Sequence, residues 1–551
     1  MSGACLRICT AASCRSRGAE TLRQRCSALL ESANSASATQ GVAGRDVTVK
    51  GVGCLGPCSE GPLLAVDDAA GGSRLFSLVA NGQAGSAAVI EAAIKAVAAD
   101  LHTAVADGDG SALAQWSPPH SREIPPDDPF LALQLRRVLA QCGRIDPAEI
   151  ADALAAGAYR QLQAVLQRND PAGVIELVRR SGLRGRGGAG YPTGLKWATV
   201  AAMPGGEKVV VCNADEGDPG AFMDRTVLEG DPHTLLEGMA IAAHAVGADR
   251  GFIYVRAEYP LAIERLRIAI AQAEQHGWLG TAIARSDFSF HVELRVGAGA
   301  YVCGEETALI HSIEGRRGVP RPRPPYPAQR GVFGLPTLIN NVETFANIPA
   351  LLRLGPEAYA PGTKVFSLTG QVRRSGVLEV PMGTPLRTIV ETMGGGAPAG
   401  RRIKAVQTGG PSGGCVPASA LDTPVDYESL QALGTIMGSG GMVVLDDTTN
   451  MVDIAAFFMA FSREESCGKC IPCRSGTVQL EMLLRKLLSR QAGELDLAQL
   501  ERLCPVVSEA SLCGLGQSAP RPVLSTLRHF RGDYLALLET TPAPPQQEQN
   551  P

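Results

Sequence analysis

The sequence predicts a multidomain α/β protein. Three observations lead there. The chain has 551 residues, which at roughly 150 residues per domain makes three or four domains. Strand-length apolar runs alternate with amphipathic helical stretches through its middle. A proline-rich break at residues 116–129 sets a smaller α/β unit apart.

In chain order, residues 5–9 read as extended, 19–31 as helical, 47–52 as an alternating strand, 63–67 and 75–79 as extended and 87–105 as helical. Residues 116–129 carry five prolines, which remove too many backbone donors for a regular element. Residues 130–180 are helical, with breaks at Pro147 and Pro171, and lead into a glycine-rich segment at Gly185–Gly190. Strand-length runs follow at 208–212, 251–255 and 291–296, with a helical stretch at 261–276. This pattern makes a layered α/β domain. Short extended pieces at 365–372 and 403–408, separated by Gly and Pro clusters, predict a β-rich insert. The chain is helical again after Met451 through Phe530, and a Pro- and Gln-rich tail from Thr541 reads as disordered.

A net charge of -4 and a pI near 6.1 give no electrostatic footprint for nucleic acid. No run of eighteen apolar residues occurs, and the N-terminus opens on a strand rather than a basic region followed by an apolar one, so a cytoplasmic protein without membrane insertion is expected. Fifteen cysteines in such a chain are poor disulfide material. Metal sites become the leading account of those that cluster.

Cys467, Cys470 and Cys473 recur every third residue in SCGKCIPCRSG. Turns through Gly468 and Pro472 turn three sulfurs toward one 4Fe-4S cube. The next residues, Gly476 and Thr477, offer no fourth ligand, so it comes from Cys504, Cys513 or Cys415. Cys513 is favoured, because the glycines of SLCGLG let backbone amides approach a sulfur, whereas Cys504 sits in a helical pattern. A second set pairs Cys9 with Cys14 and Cys54 with Cys58, each pair in a loop after a strand, which suits a 2Fe-2S cluster. Structural zinc is the alternative at both places. The remaining cysteines, Cys5, Cys26, Cys142, Cys212, Cys303, Cys415 and Cys504, read as buried small hydrophobes.

GLRGRGGAGYPTGLKW holds G-x-G-x-x-G at Gly185, Gly187 and Gly190, but an amphipathic helix precedes it where a dinucleotide fingerprint needs a strand. The physics still favours a phosphate: glycines expose backbone donors, and Arg186 and Lys196 add positive charge. VVVCNADEGDPGAF puts Asn213, Asp215 and Glu216 at the C-terminal end of an apolar strand, the edge where α/β sheets gather ligands. YVCGEETAL repeats the arrangement with Gly304, Glu305 and Glu306. A solvated turn and a charged helix start are the plain alternatives.

Taken together, GRGGAGYPTGLKW, CNADEGDPGAF, GAGAYVCGEETAL, PTLINNVET, ESCGKCIPCR and SLCGLG, in this order over nearly the whole chain, resemble the NADH-binding flavoprotein subunit of respiratory complex I. Relatives of that subunit occur in NAD-reducing hydrogenases and NAD-dependent formate dehydrogenases. The resemblance implies FMN held by Gly185, Arg186, Gly187, Gly188, Gly190, Lys196, Asn213, Asp215, Asn340 and Asn341, with Tyr301 and Gly304 in the same site. It places NAD(H) near Glu216, Glu305 and Glu306, with Glu216 and Glu305 in catalytic positions. It implies a 4Fe-4S cluster on Cys467, Cys470, Cys473 and Cys513, and a 2Fe-2S cluster on Cys9, Cys14, Cys54 and Cys58.

The implied architecture is a thioredoxin-like 2Fe-2S domain at 1–110, a linker at 111–130, a Rossmann-like FMN and NADH domain at 131–350, a ubiquitin-like β-grasp insert at 351–440, a helical 4Fe-4S domain at 441–540 and a tail at 541–551. The loop departs from the family pattern at Tyr191 and at residues 198–200, so Phe222 is offered as a ring for the adenine.

The expected activity is a diaphorase: hydride exchange between NAD and FMN, and passage of single electrons through the clusters. No site for a final substrate is evident, so the chain is expected to work with a catalytic iron–sulfur partner, first a formate dehydrogenase alpha subunit, otherwise hydrogenase or complex I subunits. A zinc-stabilised interaction protein and a self-contained NAD-dependent dehydrogenase are the readings from other classes.

Overall fold

A computed structural model describes residues 4–39, 47–68, 70–78, 91–93, 95–97, 100 and 115–538. Most of the helix expected at 87–105, and the tail from Thr541, lie outside the described residues.

The first sheet runs β1 (Ala4–Cys9), β2 (Val47–Val52), β3 (Leu63–Asp67), β4 (Ser73–Ser77) and β5 (Arg122–Ile124), in spatial order β2-β1-β3-β4-β5. Only β1 and β2 are parallel; the other neighbours are antiparallel. Alternation does its usual work in β1, whose Ala4, Leu6 and Ile8 are buried. β4 starts and ends two residues earlier than expected. β5 corrects the expectation that residues 116–129 hold no regular element. The five prolines flank Arg122–Ile124, so its amides stay free for an edge pairing in which Ile124 faces Leu75 and Glu123 meets Arg74 at 2.6 Å.

The second sheet is entirely parallel: β6 (Val209–Ala214), β7 (Arg250–Arg256), β8 (His291–Gly297) and β9 (Thr337–Asn341), in order β8-β7-β6-β9. Val209, Val210, Val211 and Cys212 are all buried, the continuous apolar run of a strand covered on both faces. Helices Met223–Gly230 and Pro232–Val246 connect β6 to β7, and Pro260–Gln275 connects β7 to β8. Because β7 lies on one side of β6 and β9 on the other, the chain changes winding direction at β6. That opens a crevice at the carboxyl ends of β6 and β9.

The third sheet is mixed: β10 (Thr363–Gly370), β11 (Gly376–Pro381), β12 (Ile403–Thr408), β13 (Gly414–Pro417) and β14 (Gly441–Asp446), in order β11-β10-β14-β12-β13. The last strand sits centrally, parallel to β10 and antiparallel to β12, which is the β-grasp arrangement. The boundary expected at residue 440 therefore falls one strand early.

Helices Met451–Glu464, Ile471–Leu488, Glu494–Ala510 and Arg521–His529 form the C-terminal layer around Leu480, Leu484, Leu487 and Leu500. Cys504 is fully buried in that core. Of the cysteines expected to be buried, Cys5 is only half-buried. Among the described residues, no helix is long and apolar enough to cross a membrane.

Candidate functional site

The glycine loop follows the helix Pro171–Arg180 and runs into the helix Thr193–Ala201, so no strand precedes it. It is closed by the Gly185 amide donating to the Tyr191 carbonyl at 2.8 Å. Gly188 (φ 119°) and Gly190 (φ 63°) hold left-handed backbone, and a Cβ at Gly190 would stand 2.5 Å from the Tyr427 ring.

Lys196 sits one turn into the next helix and donates to Glu306 at 2.6 Å and to the Ile339 carbonyl at 3.1 Å. Arg186 departs from expectation. Its guanidinium is buried and turned toward the insert, donating to the Tyr427 hydroxyl at 3.3 Å, while its amide donates to Thr344. It ties the loop to the β-grasp domain, and its Nε is buried without a partner.

The crevice is built from strand ends. Asn213 and Asn341 are register partners on β6 and β9. Asn213 donates to the Gly304 carbonyl at 2.8 Å and accepts from the Asp215 amide at 3.1 Å. Asn340 accepts from the buried Trp197 indole at 3.0 Å, and Asn341 donates to Asp224 at 2.5 Å. Asp215 is closed off from solvent. One oxygen lies 3.3 Å from Arg256, and the other, Oδ2, has no partner. Burial pushes its carboxyl up to about 7 against the pull of Arg256.

The two carboxylates expected in catalytic positions both cap helices. Glu216 accepts from the Asp224 and Arg225 amides at 2.9 and 3.0 Å and from the Tyr259 hydroxyl at 3.2 Å. Glu305 accepts from the Thr307 and Ala308 amides, both at 2.9 Å. Each neutralises orphan donors at a helix N-terminus. Glu306, by contrast, faces Lys196.

Several residues of the site go beyond those expected from the sequence. Asp218 is held by Tyr301 at 2.8 Å and Ser439 at 2.7 Å. Arg256, Tyr427 and Thr344 join it. Asp218 stands two residues beyond Glu216 and is open to the same reasoning, whereas Tyr427 and Ser439 arrive from the insert with no local signal. Tyr191, where the loop departs from the family pattern, is half-exposed. Phe222, the ring offered for the adenine, packs on the core beneath Arg225.

The fit to FMN rests on unmet groups. Asp215 Oδ2 and Thr193 Oγ1 are buried without partners, the latter at the start of the helix after the glycine loop, where an anion is favoured.

Cys467, Cys470, Cys473 and Cys513 line one cavity together with Val302, Pro320, Ser466, Lys469, Leu512 and Leu515. Gly468 has φ 75°, Cys470 precedes the helix Ile471–Leu488 and Cys513 precedes the helix Gly514–Ser518. The sulfurs thus face a common space rather than one point. Among the described residues, no three His, Cys, Asp or Glu side chains are placed to hold a single metal ion. Cys415 and Cys504 lie in other cores.

In the first domain, the Cys54 and Cys58 sulfurs are 3.5 Å apart. Hydrogen bonds from Cys58 and Cys9 hold Cys54 well below the usual thiol range, while bonding to Cys14 and then Cys54 pushes Cys9 well above it and bonding to Cys54 does the same to Cys58. Cys9, Cys14, Cys54 and Cys58 are thus one another's neighbours, four sulfurs gathered as a 2Fe-2S cluster requires.

Comparison with known families and structures agrees with this geometry. Residues 178–350 match the Nuo51 FMN-binding domain, 453–537 the NADH-ubiquinone oxidoreductase-F iron-sulfur binding region, 365–416 the SLBB domain and 2–75 the thioredoxin-like 2Fe-2S ferredoxin. The NADP-reducing hydrogenase subunit HndC of Solidesulfovibrio fructosivorans is 51% identical over 418 residues, spanning 75% of this chain and 85% of that protein. An F-type subunit of the NADH-quinone oxidoreductase of Rhizobium meliloti is 45% identical over 398 residues, spanning 71% of this chain and 94% of that protein. A crystal structure of an NAD+-reducing NiFe-hydrogenase in the H2-reduced state aligns with 98% of this chain and 84% of its own at 30% identity and a TM-score of 0.65.

Proposed function

The chain belongs to the family of the F-type subunits of NADH-quinone oxidoreductase, and from that premise we propose that it moves electrons between a nicotinamide dinucleotide and a catalytic iron–sulfur partner. It is an FMN and iron–sulfur diaphorase subunit. FMN, when bound, supplies conversion between paired and single electrons, and each cluster carries one at a time.

The chain's own groups place these cofactors. Lys196, held by Glu306, presents positive charge beside the glycine loop. Asn213, Asn340 and Asn341, each oriented by a neighbour, form the amide face of the crevice. Asp215, whose carboxyl burial raises to about 7, offers either a donor or an acceptor at Oδ2. Glu216 and Glu305 hold their helices rather than the reacting atoms.

One observation carries the reading. The segment from Tyr301 to Glu306 belongs to both centres: the Gly304 carbonyl accepts from Asn213 in the crevice, while Val302 lines the four-cysteine cavity. Flavin and cluster would share this short segment, which suits electron transfer between them.

For the partner, a formate-oxidising subunit is the reading the sequence motifs suggest. A hydrogen-oxidising one is favoured by the 51% identity to a hydrogenase subunit. Anaerobic purification of the native complex, followed by formate- and hydrogen-dependent reduction of NAD+ and NADP+, separates them. Absence of bound FMN, iron and acid-labile sulfide from that material would overturn the reading altogether.

A further inference from the structure

The four-cysteine cavity contains one hydroxyl, that of Ser466. Its oxygen lies 3.2 Å from the Cys473 sulfur, and the Gly468 amide donates to it at 3.3 Å. Its backbone is fixed by its own amide donating to the Arg463 carbonyl at the end of the helix Met451–Glu464. A serine hydroxyl has one proton and two lone pairs. The Gly468 amide occupies a lone pair, so the proton is free for the sulfur. A sulfur bound to iron is an acceptor without a proton, which fixes the direction of the bond. Cys473 and Cys513 are buried, whereas Cys467 and Cys470 are half-buried. The bond therefore lies on the dry side of the cavity, where a hydrogen bond is electrostatically stronger.

We infer that Ser466 is a tuning residue of the 4Fe-4S centre: its hydroxyl donates to the Cys473 thiolate and raises the reduction potential of the cluster. The inference rests on the cluster assignment made above. Adding an electron makes the ligand sulfurs more negative and the bond stronger, so the reduced form gains more from it than the oxidised form. Ser466 also stands immediately before the first ligand, Cys467, so no other element has to move to place it.

The test is an EPR-monitored redox titration of the intact holoprotein. Ser466→Ala is expected to lower the 4Fe-4S midpoint by about a tenfold change in the reduction equilibrium, roughly 59 mV for one electron. Ser466→Thr, which keeps the hydroxyl, should stay near the wild type, and the 2Fe-2S midpoint should not move in either variant. An unchanged 4Fe-4S midpoint in Ser466→Ala, or equal shifts at both clusters, would overturn the inference. Should Ser466→Ala fail to hold the cluster, Ser466→Gly takes its place, and pulsed EPR in H2O and D2O compares it with the wild type: loss of one exchangeable proton coupled to the 4Fe-4S centre supports the bond, and an unchanged set of coupled protons refutes it. Absence of any 4Fe-4S signal in the wild type would instead refute the cluster assignment, a distinct result.

Discussion

Asp215 has one oxygen beside Arg256 and the other without a partner, and burial lifts its carboxyl from an ordinary 3.8 to about 7. A carboxyl raised in the folded state favours the protonated form. Its contribution to stability is fully present below about pH 4 and is lost as pH rises through about 7, at about 1.4 kcal/mol for each pH step between those limits. In flavin-free protein, Asp215→Asn should therefore gain melting temperature relative to wild type between pH 5 and pH 8. A difference independent of pH would show that the carboxyl is not raised. Cys470→Ser addresses the other centre. Stopped-flow mixing with NADH should still bleach the flavin, while transfer to the partner is lost; loss of the bleaching itself would contradict the division of labour. Single residues are legible where chemistry is carried by type and spacing, as with Cys467, Cys470, Cys473 and Cys513. Arg186 is not, because a cation in a glycine loop looks the same whether it faces a phosphate or a tyrosine of another domain.

Elements give two carboxylates a structural role that their motifs do not show. Glu216 and Glu305 lie in acidic motifs beside a crevice, yet both carboxylates cap helices, a role that depends on where the next helix begins. Glu216 satisfies two amides and the Tyr259 hydroxyl. Glu216→Ala leaves those buried donors bare and should cost about 2 kcal/mol or more, seen as a melting point several degrees lower. Glu216→Gln keeps an acceptor and should retain NADH oxidation within a few-fold. A hundredfold loss in the Gln variant at unchanged melting temperature would return the carboxylate to the chemistry. Strands are legible where apolar runs are continuous, as in β6. β9 is not, because Thr337 and the two asparagines leave only two apolar residues. The sequence places β14 with the helical domain because its partners β10 and β12 are remote along the chain, and only pairing reveals a central strand.

At the scale of the whole molecule, the loop of Cys54 and Cys58 is held by two other domains. A Cβ at Gly53 would stand 2.4 Å from the Gly230 Cα in the flavin domain, and one at Gly376 would stand 2.3 Å from the Gly56 carbonyl. The Val377 amide donates to that same carbonyl at 3.2 Å, and the Ser59 amide donates to Ser375 at 3.0 Å. Across the same junction Arg265 donates to Thr10 at 2.7 Å, and Glu229 accepts from the Ala12 amide at 3.0 Å. Backbone meets backbone here, so neither side can give way as a flexible side chain would. Overpacking such a contact typically costs about 1–3 kcal/mol. Gly376→Val is thus expected to lower the melting temperature and the 2Fe-2S content while the 4Fe-4S content stays at wild-type level. Iron analysis with EPR of both centres reads the two separately. If the variant kept its melting point and both clusters, the β-grasp sheet would not be the wall that seats the first domain. If both clusters fell together, the junction would be a general stability element rather than a mount for one centre. Selective loss of the 2Fe-2S cluster is favoured because the four-cysteine cavity draws none of its lining from the first domain or from β11.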